Sequence, residues 1–287
     1  MTVWFITGAS RGLGLHLARQ AAERGDSVVA TARRPEIATE ALAAVEAGSR
    51  LMVDELDVTD QKQAQQVTDR ALTRFGRIDV LVNNAGRGLL GAVEEATDAE
   101  CRAVFDINVF GLLSVTRTVL PVMRAQRSGH VLNISSVGGF AAGTGWGNYC
   151  ATKFAVEGLS EAMRAELAPL GVHVTIVEPG VFRTDFLDES SLARTANIIP
   201  DYDGTVGNTR AWVNQHNHVQ PGDPAKGAAA IMTIVGTDNP PTRFPLGADC
   251  IKRVEAKLHE VSREFNQWRE LAASTAHEEP VFMKTSR

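Results

Sequence analysis

The 287-residue chain carries 34 acidic against 29 basic side chains, a net charge of −5 with no Lys/Arg run, which argues against a nucleic-acid-binding surface. Hydrophobic residues make up 44% of it, enough for a substantial core. Its three scattered cysteines, Cys101, Cys150 and Cys250, fit reduced thiols in a cytoplasmic protein better than a disulfide framework or a zinc site. No stretch approaches the roughly 18 apolar residues of a membrane span, and the apolar run from Val3 ends at Gly8 without the basic lead of a secretory signal.

In chain order, Val3-Trp4-Phe5-Ile6 reads as a buried strand, and a helical pattern at Leu13, Leu17, Ala18 and Ala21 follows the turn Thr7-Gly8-Ala9-Ser10-Arg11-Gly12-Leu13-Gly14. Glycines between a first strand and a first helix let backbone amides approach a phosphate where the helix dipole favours an anion. Gly8, Ser10, Arg11, Gly12, Leu13 and Gly14 are therefore candidate nucleotide-binding residues, although the spacing is GxxxGxG rather than the common GxGxxG. A second strand over 27–31 ends at Ala32-Arg33-Arg34. An acid at that point would hold the adenosine ribose of NAD; Ala32 cannot, whereas Arg33 together with Arg11 could pair with a 2′-phosphate. NADP (NADPH) is thus favoured and NAD is the less favoured cofactor, the alternative being that both arginines are ordinary solvated charges.

Further along come a helix over 37–47, a strand over 51–56 leading to Asp57, a helix from about Asp60, and a strand over 80–82 that runs into Asn83-Asn84-Ala85-Gly86. Residues 99–123 are helical, with Asn108 inside the apolar pattern, where a buried amide needs partners. A strand over 130–134 closes on Ser135-Ser136, a helix runs over 149–167, and a strand over 172–177 ends at Pro179-Gly180-Val181-Phe182-Arg183-Thr184. At i, i+4 spacing, Tyr149 and Lys153 share a helix face. A free phenol has a pKa of about 10, and a neighbouring ammonium lowers it towards usable acid–base chemistry.

From 185 to 220 the periodicity fades, as expected of a substrate lid beyond the strand ends. Phe182, Phe186, Trp212 and Trp146 either make its wall apolar or are ordinary packing residues. His216 and His218 lack a carboxylate or Cys pattern to complete a metal site, so no metal is expected. Pro221-Gly222-Asp223-Pro224 starts a helix to about 235, residues 243–246 form a last edge strand, and 249–272 form a charged amphipathic helix that covers the sheet or a neighbouring subunit. The tail, 274–287, is expected to be poorly ordered. Alternating strands and helices without a linker predict one α/β domain over 1–287, a doubly wound parallel sheet.

Five motifs, TGASRGLG, NNAG, Ser136, Tyr149 with Lys153, and Pro179-Gly180, span residues 7–180 in one order, and that combination resembles the short-chain dehydrogenase/reductase family in its compact single-domain branch. The resemblance implies a Rossmann-like fold and an NADP(H)-dependent oxidoreductase interconverting a carbonyl and an alcohol on a small-molecule substrate. Ketone reduction on a lipophilic compound is favoured. An NAD-dependent alcohol dehydrogenase and a non-catalytic NADP(H)-sensing protein are the alternatives.

By resemblance, Asp57 contacts adenine, with a cap or turn role as the alternative. Asn83, Ala85 and Gly86 border the cofactor, with Asn83 mainly structural. Asn108 holds a water that links Lys153 to solvent. Ser136, thirteen residues before Tyr149, polarises the carbonyl and is selected over Ser135. Lys153 binds the nicotinamide ribose, and Pro179, Gly180, Val181 and Thr184 border the nicotinamide. A homodimer or homotetramer, paired through the helices that hold Asn108 and Tyr149, is implied in the same way.

Overall fold

Strand β1 (Val3–Thr7) is buried at every position, and so is β2 (Ser27–Ala32). Strands without a polar face belong in the middle of a sheet covered on both sides. The computed structural model, which describes residues 1–277, shows that arrangement. Helix α1 (Gly12–Glu23) connects these two strands, and α2 (Pro35–Leu42) leads to β3 (Leu51–Glu55). Helix α3 (Gln61–Phe75) starts on Asp60, whose carboxylate accepts from the amides of Lys62 and Gln63 at 2.9 and 3.0 Å, and leads to β4 (Val80–Asn83).

After a short strand β5 (Gly88–Leu90), α4 (Asp98–Phe105) and α5 (Leu112–Gln126) form one run interrupted by a π-helical turn, Asp106–Gly111. By length and composition alone that run could pass for a membrane span. More than half of its most apolar window is buried within the fold, as for a core helix. Strand β6 (Gly129–Ile134), α6 (Gly147–Leu167) and β7 (Val172–Pro179) follow.

The stretch expected to be irregular carries a three-residue strand β8 (Leu192–Arg194) and α7 (Asn208–His216), and the chain then closes with α8 (Pro224–Val235), β9 (Arg243–Leu246) and α9 (Ala248–Ala273). Residues 274–277 of the predicted tail are exposed; the rest of it lies outside the described residues.

The main sheet is seven-stranded, wholly parallel, in the order β3-β2-β1-β4-β6-β7-β9. One apolar layer packs α1 and α8 on one face through Leu17, Ala21, Ala228 and Ile231. A second packs α3, α5 and α6 on the other through Val67, Ala71, Val115, Val119 and Met163. Sequence order reverses between β1 and β4, so the loops leaving these strands turn to opposite faces and open a crevice at the C-terminal edge. Residues 185–220, expected from the sequence to be a lid or substrate wall, are anchored separately. Strand β8 pairs with β5, and Leu90, Leu187, Leu192 and Val213 form a small apolar cluster of their own.

Candidate active site

A cleft of about 1180 Å³ occupies that crevice. Its floor is the turn after β1. Gly8 and Gly12 hold φ of 66° and 56°, the left-handed region open to glycine. Helix α1 then begins at Gly12 with no side-chain cap from Arg11, leaving the first amides of the helix facing the cleft. An uncapped helix N-terminus lined by Gly8, Ser10, Gly12 and Leu13 fits the diphosphate of a dinucleotide.

Two candidates lie behind the wall instead of on it. A Cβ on Gly14 would fall 2.4 Å from Nδ2 of Asn84, so this glycine serves close packing of helix against loop. Asn83, at the end of β4, is buried and its Nδ2 donates to Thr116 Oγ1 and Asn133 Oδ1, both at 2.9 Å, which ties three elements together. Asn83 itself does not line the cleft, contrary to the cofactor contact expected of it. Asn84 lines the cleft and donates to the carbonyls of Thr7 and Gly8 at 2.9 and 3.0 Å, fixing the glycine turn.

At the outer end Ala32, Arg33, Arg34 and Asp57 line the wall. Asp57 also accepts from the amide and hydroxyl of Thr59 at 2.9 and 2.7 Å, so its turn role is real. Arg11 turns towards the lid, where its guanidinium donates to Ser190 Oγ at 2.5 Å. Arg34 and His16 of α1 line the same wall and were not singled out from sequence; an exposed cation or a helical histidine carries no signal until the fold places it.

At the inner end Ser136, Tyr149 and Lys153 meet. Helix α6 starts two residues before Tyr149, so phenol and ammonium project from its first turns, and Lys153 Nζ lies 5.8 Å from the phenol ring centre. Nζ donates to the carbonyl of Ile134 at 2.8 Å, which fixes it beneath the end of β6. Ser135 and Ser136 part company here: the Ser135 hydroxyl donates to buried Glu157, whereas Ser136 Oγ accepts from the Gly138 amide at 3.0 Å on the cleft side.

The electrostatics differ from the sequence reading. Burial pushes the Tyr149 phenol above its ordinary range, and the Ser136 hydroxyl pulls it back only in part; Lys153 is not what dominates. Burial lowers Lys153 to about 8, against the pull of the Glu157 carboxylate.

Asn108 sits in the π-helical turn, buried and off the cleft wall. Its amide clamps Arg87, accepting from the backbone N–H and donating to the C=O, both at 2.9 Å, and also donates to Thr152 Oγ1 at 3.0 Å. A Cβ on Gly86 would lie 3.2 Å from Asn108 Oδ1 and 3.7 Å from Lys153 Nζ, so the three are neighbours, with Ala85 and Gly86 lining the cleft.

Opposite, Pro179, Gly180, Val181 and Thr184 line the wall. The Val181 amide donates to Asp249 Oδ2 of α9 at 2.8 Å, a tie absent from any local pattern, and Thr184 also caps the following 3-10 turn. Over Tyr149 stands an aromatic wall. Phe186 lies 5.6 Å and Trp146 5.9 Å from the phenol ring, and Trp146 stacks on Phe186 at 6.5 Å.

The lid also brings Asp185 and Asp188 to His218, carboxylates the sequence spacing had not revealed. Asp188 Oδ1 is taken up by Asn217 and by His218 Nε2 at 3.1 Å.

The short chain dehydrogenase profile matches residues 2–195, two-thirds of the chain and most of the cleft. The chain belongs to the short-chain dehydrogenase/reductase family. Among its family relatives, oxidoreductase BOA17 of Botryotinia fuckeliana is 36% identical over 96% of this chain and 99% of its own length. The 3-ketodihydrosphingosine reductase of Bacteroides thetaiotaomicron is 37% identical over 84% of this chain and 86% of its own length. The crystal structure of a short-chain dehydrogenase from Streptomyces avermitilis superposes with a TM-score of 0.88 at 43% identity, covering 96% of this chain and all of that one.

Similar structures have been solved with either nicotinamide cofactor. A serine dehydrogenase complexed with NADP⁺ matches at 26% identity and TM-score 0.71, over 85% of this chain and 93% of that one. A Burkholderia phymatum enzyme in complex with NAD matches at 25% and 0.77, over 94% and 95%. This short-chain dehydrogenase/reductase is therefore an oxidoreductase of a nicotinamide-using family.

Proposed function

We propose that the protein is an NADP(H)-dependent reductase of a lipophilic ketone. The observation that carries the reading is the convergence of Ser136, Tyr149 and Lys153 under an aromatic wall, at the inner end of a cleft whose outer end offers Arg33 and Arg34 and no carboxylate directly after β2. A nicotinamide cofactor bound along the glycine turn supplies the hydride. Ser136 donates a hydrogen bond to the substrate oxygen and orients it, and Tyr149 delivers the proton to that oxygen as negative charge develops there. A phenol kept protonated by burial suits that reductive role. Lys153, charged below about pH 8, stabilises the phenolate left behind and holds the ribose.

Asn108 keeps Arg87 and Gly86 in place beside Lys153, and Phe186 and Trp146 exclude bulk solvent from the reacting oxygen. The cofactor contacts proposed are those of Gly8, Ser10, Gly12, Leu13, Arg33, Asp57, Ala85, Gly86, Pro179, Gly180, Val181 and Thr184, with Arg11 bridging to the lid. The name of the Bacteroides relative, a reductase of a keto compound, supports the direction. Exposed Phe110 and Phe154, on the helical elements that carry Asn108 and Lys153, support a homo-oligomer paired there, and three free thiols support a cytoplasmic enzyme.

Cofactor choice is tested by kcat/KM for NADPH and NADH before and after Arg33→Ala. NADPH is preferred by the wild type, and the substitution lowers its kcat/KM at least about tenfold while leaving NADH unchanged. A wild-type preference for NADH overturns the assignment.

A further inference from the structure

Helix α9 leaves the body of the protein. Its first turns are anchored, Cys250 and Val254 packing with Val137 and Phe140, but every residue from Leu258 to the end of the helix is exposed. These 16 residues, 258–273, project about 24 Å with nothing packed on them among the described residues. A single helix of that length is marginal in water without a covered face.

The projecting part has such a face. Leu258, Val261, Phe265 and Trp268 recur at spacings of three, four and three, in phase with anchored Val254, and are 53%, 49%, 58% and 57% exposed. That repeat is the seam of a paired helix. Its polar residues exclude a membrane surface as the favoured cover: Glu260, Glu264 and Glu270 outnumber Arg263 and Arg269, whereas interfacial helices are rich in basic residues.

We propose that this segment pairs antiparallel with the same segment of a second copy, forming an association surface separate from the helices around Asn108 and Tyr149. Centred on Arg263, the pairing sets Leu258 against Trp268 of the second copy and Val261 against Phe265, each twice by symmetry. It also sets Glu255 beside Arg269 of the second copy at the flanking positions, so that two symmetry-related pairs of opposite charges meet along one flank of the seam. The antiparallel sense keeps the two bodies at opposite ends of the helix pair. A parallel pair would crowd both at the end where Val254 is already covered.

The test is sedimentation velocity on the full chain from about 1 to about 100 µM, the range in which a short helix pair associates. The wild type shows one doubling of mass that the Phe265→Glu/Trp268→Glu variant lacks, whatever assembly the variant retains, with unchanged activity per chain. Glu255→Arg and Arg269→Glu each raise the dissociation constant of that step about tenfold. The double reversal restores it to within about threefold. Equal masses for the wild type and the Phe265/Trp268 variant overturn the proposal. So does an absence of rescue in the double reversal, or flotation with phosphatidylglycerol vesicles that needs Phe265 and Trp268 without any change of mass.

Discussion

A buried phenol 7% exposed and an ammonium 6% exposed share one helix face, and burial acts on them in opposite senses, up for Tyr149 and down for Lys153. The ammonium is therefore the group that titrates near physiological pH. As pH rises through about 8, Lys153 loses its proton, its charge beside the phenol goes with it, and the reductive kcat/KM falls, while Tyr149 stays protonated. A pH profile of kcat/KM checks this: a plateau below about 8 with a decline above it is expected, and a profile flat through pH 9 contradicts it. The spacing of Tyr149 and Lys153 was legible in the sequence because helical periodicity is local. The sense of the phenol's shift was not, since it depends on how deeply α6 is covered. Asn83 and Asn84 show the same limit, because which of two adjacent amides faces the cleft is decided by where β4 ends.

Elements built on local patterns were readable. The five inner strands of the sheet and the starts of α3 and α8 at Asp60 and Asp223 follow from apolar runs and capping carboxylates. The lid was read as irregular because what orders it is remote. Strand β8 pairs with β5 about a hundred residues earlier, and buried Glu95 holds the lid by accepting from the amide of Ile199 at 2.9 Å and by pairing with Arg210. The π-helical turn at Asn108 was hidden for a related reason, since it keeps an apolar helical pattern while its amide is spent on Arg87.

Burial pushes Glu95 up, but the amides of Ile199 and Ala92 together with Arg210 hold it below its ordinary value. Its contribution is thus present at neutral pH and is lost as pH falls through that lowered value. Glu95→Gln leaves Arg210 without its partner and destabilises lid attachment by about 3 kcal/mol. Limited proteolysis within 185–220 should be faster in the variant at pH 7 and less dependent on acid than in the wild type. Equal cleavage rates at neutral pH would show that the pair does not hold the lid.

At the scale of the whole molecule, the parallel sheet, the reversal of strand order between β1 and β4 and residues 185–220 together bring the glycine turn and Ser136, Tyr149 and Lys153 to one cleft. The account stands on Tyr149 as that proton donor. The most direct measurement is single-turnover NADPH oxidation with a reducible ketone in wild type and Tyr149→Phe, with NADPH affinity measured alongside by fluorescence titration. The variant should bind NADPH as the wild type does and turn over at least about 10²-fold more slowly; turnover within a few-fold of the wild type would contradict the mechanism.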